Sequence, residues 1–287
     1  MAAPKIITVG SVNLDLVASA EHLPAPGETV TGASFAQYPG GKGANQTLAA
    51  RRLGAEVSMI GRVGDDPYAD EALALLKADG VDLSGVITDE QAATGVALIG
   101  VDARGENQII VASGANGEVG SGDVTGAGPA DAVLCQLEVP VPAVMEAGKI
   151  ETPLFAINLA PALPVPAALL ERADLLIVNE IEADFYGALI HRGDGMVALT
   201  LGRQGSVLYR AGKEVARMNV FTVPVIDTTG AGDTFCGALV VALAEGMDEG
   251  KALRFASAAA ALAVTKPGAQ PSIPDRKEVE AFLADLP

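Results

Sequence analysis

The sequence predicts an α/β protein built on a mostly parallel sheet, and three observations carry that prediction. Short apolar runs of strand length alternate with helix-period segments along most of the chain, the pattern of repeated βα units whose crossovers cover both faces of a sheet. Several of those runs end on a polar residue or a glycine, as strands do when they deliver functional groups to one edge of a sheet. Composition agrees: 49% hydrophobic residues, 33 Gly and 17 Pro in 287 residues describe a turn-rich chain with ample material for a large core.

The first apolar run, residues 5–9, is closed by Gly10 and reads as a buried strand. Residues 46–53 read as helix, 56–62 as strand and 68–79 as helix. Further strands are expected at 132–137, 154–158, 175–179 and 196–200. From Phe235 the chain is helical through the Ala-rich run 256–264; a Pro/Gly loop (266–274) and a last short helix (277–286) follow. Two stretches break the alternation. Residues 16–35 hold Pro24, Pro26 and Gly27 amid β-prone pieces, and 95–112 read as two strands joined by a turn at 103–106. They predict a small sheet projecting as a lid, from segments 13–38 and 94–112. No internal repeat or linker divides the chain, so one domain spanning 1–287 is expected.

The formal net charge of -17 argues against nucleic acid or an anionic membrane as the main partner. It leaves nucleotides open, because a nest of backbone N–H groups and a metal ion hold phosphates on an acidic protein too. Cys135 and Cys236 lie in apolar stretches and read as buried free thiols; with His22 and His191 they make no convincing zinc or Cys-His nucleophile site. The N-terminal run lacks a signal-peptide layout, and residues 256–264 are far too short to span a bilayer. A cytoplasmic protein is expected.

Residues 227–235 read Asp-Thr-Thr-Gly-Ala-Gly-Asp-Thr-Phe and lead into an apolar helix that looks to begin at Thr234. Gly230, Ala231 and Gly232 bring backbone N–H groups close to an anion, and the helix adds its positive end. Asp233 then stands as a carboxylate base at the mouth of an anion hole, which points to phosphoryl transfer. The competing reading is an ordinary strand-to-helix turn with Asp233 as N-cap. A second glycine cluster, Pro39-Gly-Gly-Lys-Gly-Ala-Asn-Gln, decides between them. Glycines around Lys42 let the backbone approach a small polar ligand, and Asn45 both donates and accepts. Neither a P-loop nor a Gly-x-Gly-x-x-Gly fingerprint occurs.

Gly10-Ser-Val-Asn-Leu-Asp15, the 39–46 cluster, residues 227–233 and Gly268-Ala-Gln-Pro-Ser-Ile-Pro274 together resemble the ribokinase family of sugar kinases, in the family's order, from Val9 to Pro274. The resemblance implies a three-layer fold and ATP-dependent phosphorylation of D-ribose at O5, with Asp233 as general base and Gly230, Ala231 and Gly232 as the anion hole. It implies that Asn13, Asp15, Gly41, Lys42, Asn45 and Glu138 hold the sugar, with Ala97, Ile99 and Ile109 as apolar lid contacts. Asn179 and Glu182 match an Asn-x-x-Glu motif tied to Mg2+ and the phosphates, although alone that spacing more often starts a helix. Thr200, Gly202, Gly205, Gly232 and Ser257 fall at nucleotide positions. A K+ activator site would comprise Asp227, the carbonyls of Thr229, Ala263, Lys266 and Gly268, and Ser272.

One departure concerns length. Only residues 183–199 separate Glu182 from Thr200, a shorter connection than relatives have, so an altered nucleotide side is expected; the segment still suffices for one crossover helix. Two rivals remain: a kinase of the same family for deoxyribose, a fructose derivative or a nucleoside, and a non-catalytic sugar- or nucleotide-binding protein. Small and aliphatic lid positions (Ala97, Ile99) favour a bare pentose over a nucleoside, and an intact Asp233 favours catalysis. A thin lid sheet leaves apolar surface uncovered, so a homodimer through the lid is expected.

Overall fold

The computed structural model describes residues 2–285. The first half of the chain forms β1 (Lys5–Val9), β2 (Asn13–Ser19), β3 (Ser34–Gly40), α1 (Lys42–Arg52), β4 (Glu56–Gly64), α2 (Pro67–Ala72), α3 (Ala74–Ala78), β5 (Asp82–Asp89), β6 (Gly95–Val101), β7 (Asn107–Ala112), α4 (Ser121–Val124) and β8 (Ala132–Gln136). The second half forms α5 (Val141–Ala147), β9 (Phe155–Asn158), α6 (Ala167–Arg172), β10 (Leu175–Asn179), α7 (Glu180–Tyr186), β11 (Met196–Thr200), β12 (Ser206–Arg210), β13 (Lys213–Met218), α8 (Ala231–Ala244), α9 (Glu249–Ala263), α10 (Ala269–Ser272) and α11 (Arg276–Ala284).

Nine strands make the main sheet in the order β13-β12-β11-β10-β9-β8-β1-β4-β5. From β5 to β11 all neighbours are parallel, and only the β11–β12 and β12–β13 pairings are antiparallel. Strand alternation feeds two cores. In β8, Leu134 packs with α8 and α9 on one face, while Val133 and Cys135 pack with α5 and α6 on the other. Burying side chains on both faces explains why these strands read as continuous apolar runs. Each large side chain so buried contributes about 1.5–3 kcal/mol.

The four-stranded small sheet has the order β3-β2-β6-β7. Its register places Tyr38, Asp15, Ala97 and Val111 in one row and Ala36, Val17, Ile99 and Ile109 in the next row of the same face. The 95–112 turn forms as expected, between β6 and β7.

Several boundaries differ from expectation. The long C-terminal helix is two helices, because Gly246 adopts φ +79 and ends the first. The 68–79 helix breaks at Leu73 into α2 and α3, and the 266–274 loop contains the short α10. The last helix ends at Ala284; the expected extension to Leu286 lies outside the described residues. Strand β3 continues through Pro39 and Gly40, so the glycine cluster begins as strand and ends as helix.

Candidate active site

Helix α8 begins at Ala231, with Gly230 as its N-cap at φ 75. A Cβ at Gly230 would lie 2.9 Å from the Cα of Ala269, so this turn requires glycine both for its dihedral and for its closeness to α10. The start lies three residues before the expected Thr234. Asp233 therefore sits inside the first turn rather than at the N-cap, with its side chain free for other work. Gly232 and Asp233 border a cavity of about 160 Å³, together with Lys42, Asn179, Glu182 and Thr200.

The second glycine cluster delivers the facing residues. Gly41, at φ 87, is the N-cap of α1; a Cβ there would lie 2.7 Å from the Asn13 nitrogen. The first N–H groups of α1 find partners outside the helix. Lys42 N donates to Glu138 Oε2 at 3.1 Å and Gly43 N to Ser11 Oγ at 3.2 Å, while Ser11 Oγ itself donates to Glu138 Oε2 at 2.6 Å. Glu138, expected only as a sugar contact, thus caps a helix through one oxygen and complements its dipole. One turn on, Asn45 Nδ2 donates to Asp233 Oδ2 and Gln46 Nε2 to Asp233 Oδ1, both at 2.9 Å.

Asp15 is 8% exposed and faces this group. Burial pushes its carboxyl up to about 7; the carboxylates of Glu138 and Asp233 add to the rise, and the Lys42 ammonium opposes it. Lys42 is held above its usual range, chiefly by Asp233, against the opposing effect of burial; Glu138 and Glu182 add to the rise. It remains charged at neutral pH. Asn13 is buried, and its Oδ1 accepts from Asn116 Nδ2 at 2.7 Å, which orients the Asn13 amide with its own Nδ2 free.

On the opposite side, Asn179 and Glu182 form a capping box at the start of α7. Asn179 Oδ1 accepts from Glu182 N at 2.9 Å, and Glu182 Oε2 accepts from Asn179 N at 2.8 Å. The helix-start reading of that motif is therefore correct, and the pair still lines the cavity beside Asp233. Burial raises the Glu182 carboxyl above its ordinary value, against the Asn179 N–H and the Lys42 charge.

A larger cavity of about 340 Å³ adjoins the first at Thr200 and Gly232. Gly202, Gly205 and Ser257 border it, and Val220, Phe221, Val225 and Val264 supply apolar walls. Residues 183–199 line neither cavity; they complete α7, make a 3-10 turn over 187–191 and border a separate depression near His191 and Tyr209.

Asp227 ties two loops together: its Oδ1 accepts from Thr229 N at 2.9 Å and its Oδ2 from Gly268 N at 2.8 Å. Burial alone would raise its carboxyl; the Thr229 and Gly268 donors outweigh that and hold it below the ordinary value, hence ionised. Ser272 is buried nearby and donates to the Ala269 carbonyl at 2.8 Å, while the Ala263 and Lys266 positions close α9 above the Val264 carbonyl, which accepts from Ile226 and Asp227. The ionised Asp227 carboxylate at the meeting of these loops is an oxygen donor of the kind a monovalent cation takes. Among the described residues no group of three or more His, Cys, Asp or Glu is placed to hold a metal ion.

Five residues of this arrangement were not singled out from sequence: Ser11, Gln46, Asn116, Gln136 and Asn158. Gln46 closes the quoted motif, and Gln136 and Asn158 are the polar ends of predicted strands, so the signals existed without a partner to give them meaning.

The family described as pfkB family carbohydrate kinase matches residues 3–276. The ribokinase of Bacillus subtilis is 41% identical, over 97% of this chain and 99% of its own length. Among solved structures, the ribokinase of Thermotoga maritima superposes with a TM-score of 0.89 at 34% identity, covering 98% of this chain and 100% of that one. The Arabidopsis thaliana ribokinase, solved with ribose and ATP, superposes with a TM-score of 0.86 at 32% identity, covering 98% and 99%.

Proposed function

The chain belongs to the pfkB family of carbohydrate kinases, and we propose that it transfers the γ-phosphoryl group of ATP to the O5 hydroxyl of D-ribose. The observation that carries this reading is the placement of Asp233. It stands in the first turn of α8, one residue beyond the Gly230–Gly232 amides, where the two cavities meet. In this reading Asp233 takes the proton from O5 as the oxygen attacks, and the amides of Gly230, Ala231 and Gly232 stabilise charge on the transferring group.

Asn13, Asp15, Gly41, Lys42 and Asn45 hold the sugar hydroxyls, with the second oxygen of Glu138 available to help. The row Ala97, Ile99 and Ile109 shares the lid face of Asp15 and covers the ring. The 340 Å³ cavity takes the adenosine, against Gly202, Gly205 and Ser257. Asn179, Glu182 and Thr200 would face the phosphates, where a bound Mg2+ would supply charge neutralisation. K+ fits the Asp227–Ser272 loops, whose order it would support beside the anion hole. A cytoplasmic setting supplies the ATP; no helix among the described residues is long and apolar enough to cross a membrane.

ADP release in a coupled assay with ATP, Mg2+ and K+, run across ribose, deoxyribose, fructose and adenosine, tests the substrate. Ribose is expected to give the highest kcat/KM. Preference for another acceptor would reassign the substrate, and absence of turnover with all four would leave a binding protein.

A further inference from the structure

Asp233 is oriented by a buried chain of amides that crosses the carboxyl ends of three strands. Asn158, at the end of β9, donates its Nδ2 to the Ile177 carbonyl of β10 at 3.1 Å. A backbone carbonyl only accepts, so this bond fixes which way the Asn158 amide faces: its Oδ1 points to Gln46. Gln46 must then present its NH2, and its Nε2 donates to Asn158 Oδ1 at 3.1 Å and to Asp233 Oδ1 at 2.9 Å. Its own Oε1 is left to accept, and it does so from Gln136 Nε2, at the end of β8, at 2.7 Å. Gln46 and Gln136 are both fully buried, and Gln136 fits beside Gly10, where any Cβ would collide with its amide.

We propose that Gln46 is a positioning residue for the base: the Ile177–Asn158–Gln46–Gln136 chain sets the polarity of its amide so that one N–H is always aimed at Asp233. Both oxygens of Asp233 then carry one fixed donor, from Asn45 and from Gln46, and the remaining lone pairs are directed at the acceptor hydroxyl. The same donation favours the ionised carboxylate, the form that accepts a proton. No rotation of Gln46 preserves the chain, because reversing its amide would set oxygen against oxygen at both Asn158 and Asp233. The inference rests on the kinase reading for its kinetic consequences but not for the titration of Asp233.

The test uses Gln46→Met, which keeps length and removes the donor, and Gln46→Glu, which replaces the donor by a second carboxylate. The charged neighbours of Asp233 stay constant in both: Lys42 on α1, Asp15 on β2 and Glu182 on α7, with the Cys236 thiol one turn along α8. Carboxyl 13C NMR of the whole protein should show Asp233 titrating at higher pH in Gln46→Met than in wild type, whether or not any sugar turns over. In kinetics, kcat should fall about 10²-fold with KM for ribose within a few-fold, the cost of a misplaced group. The acidic limb of kcat should move up by about one pH unit or more in Gln46→Glu. Gln136→Met, further from the base, should shift the same readouts in the same direction by less. An Asp233 titration identical in wild type and Gln46→Met overturns the proposal. So does an active wild type whose Gln46 variants alter KM alone. An inactive wild type with a shifted titration would sink the ribose kinase reading and leave this one standing.

Discussion

At the residue scale the most costly position is Asp15. Its carboxyl stands at about 7 in the folded protein against the ordinary aspartate value of 3.8, with burial as the main cause. The folded state therefore holds a proton that the unfolded chain has released between about pH 4 and pH 7, and stability falls as pH rises through that window. A difference of this size is worth on the order of 4 kcal/mol. Asp15→Asn should raise Tm at pH 8, and the gain should shrink toward pH 5; thermal unfolding at the two values checks this. In the proposed reading the same variant, assayed above pH 7 where the Asp15 carboxyl is ionised, should raise KM for ribose at least about tenfold, because a sugar hydroxyl would lose a charged acceptor. A Tm unchanged at pH 8 would mean that Asp15 is already paired. Asp15, Lys42 and Asp233 were legible in the sequence because each sits beside glycines or strand ends in a motif. Gln46, Gln136, Asn158 and Asn116 were not: a buried amide acquires a role only from its partners, and those lie between 90 and 187 residues away for the Gln46 pairs and 103 for Asn116 to Asn13.

At the element scale the parallel strands were legible because burial on both faces leaves an uninterrupted apolar run. Strand β5 (Asp-Leu-Ser-Gly-Val-Ile-Thr-Asp) was not, since it closes the sheet as an edge and carries polar residues throughout. Nor was the β12–β13 hairpin, whose two-residue turn Ala211-Gly212 has φ 49 and 71. Such a turn normally announces itself with Asn-Gly or Asp-Gly, and Ala in that place hides it. The homodimer expected from the sequence would pair through the lid sheet. On the face opposite Asp15, Phe35, Leu98 and Ile110 are 64%, 49% and 68% exposed, an apolar surface that a thin sheet cannot bury alone. Sedimentation velocity at micromolar concentration should give a dimer, and Leu98→Arg with Ile110→Arg should give a folded monomer. A wild-type monomer at that concentration contradicts the lid interface.

At the scale of the whole molecule, two cavities meet at the start of α8, around Thr200 and Gly232. The chain's net charge is -17, and the α8 N-terminus and the charged Lys42 are the local positive features through which, in the proposed reading, phosphates would be received. The lid face bearing Asp15, Ala97 and Ile99 belongs to the small sheet, the adenosine-sized cavity to α8, α9 and the loop after β13, and Asp233 to the junction between them. This division was visible from sequence only as the order of the glycine clusters; the meeting point needed the fold. The base role of Asp233 is tested most directly by ribose turnover of Asp233→Asn beside ribose and ATP binding by calorimetry. Turnover should fall by about 10²–10⁴-fold with both ligands still bound. A variant that phosphorylates ribose at the wild-type rate would contradict it.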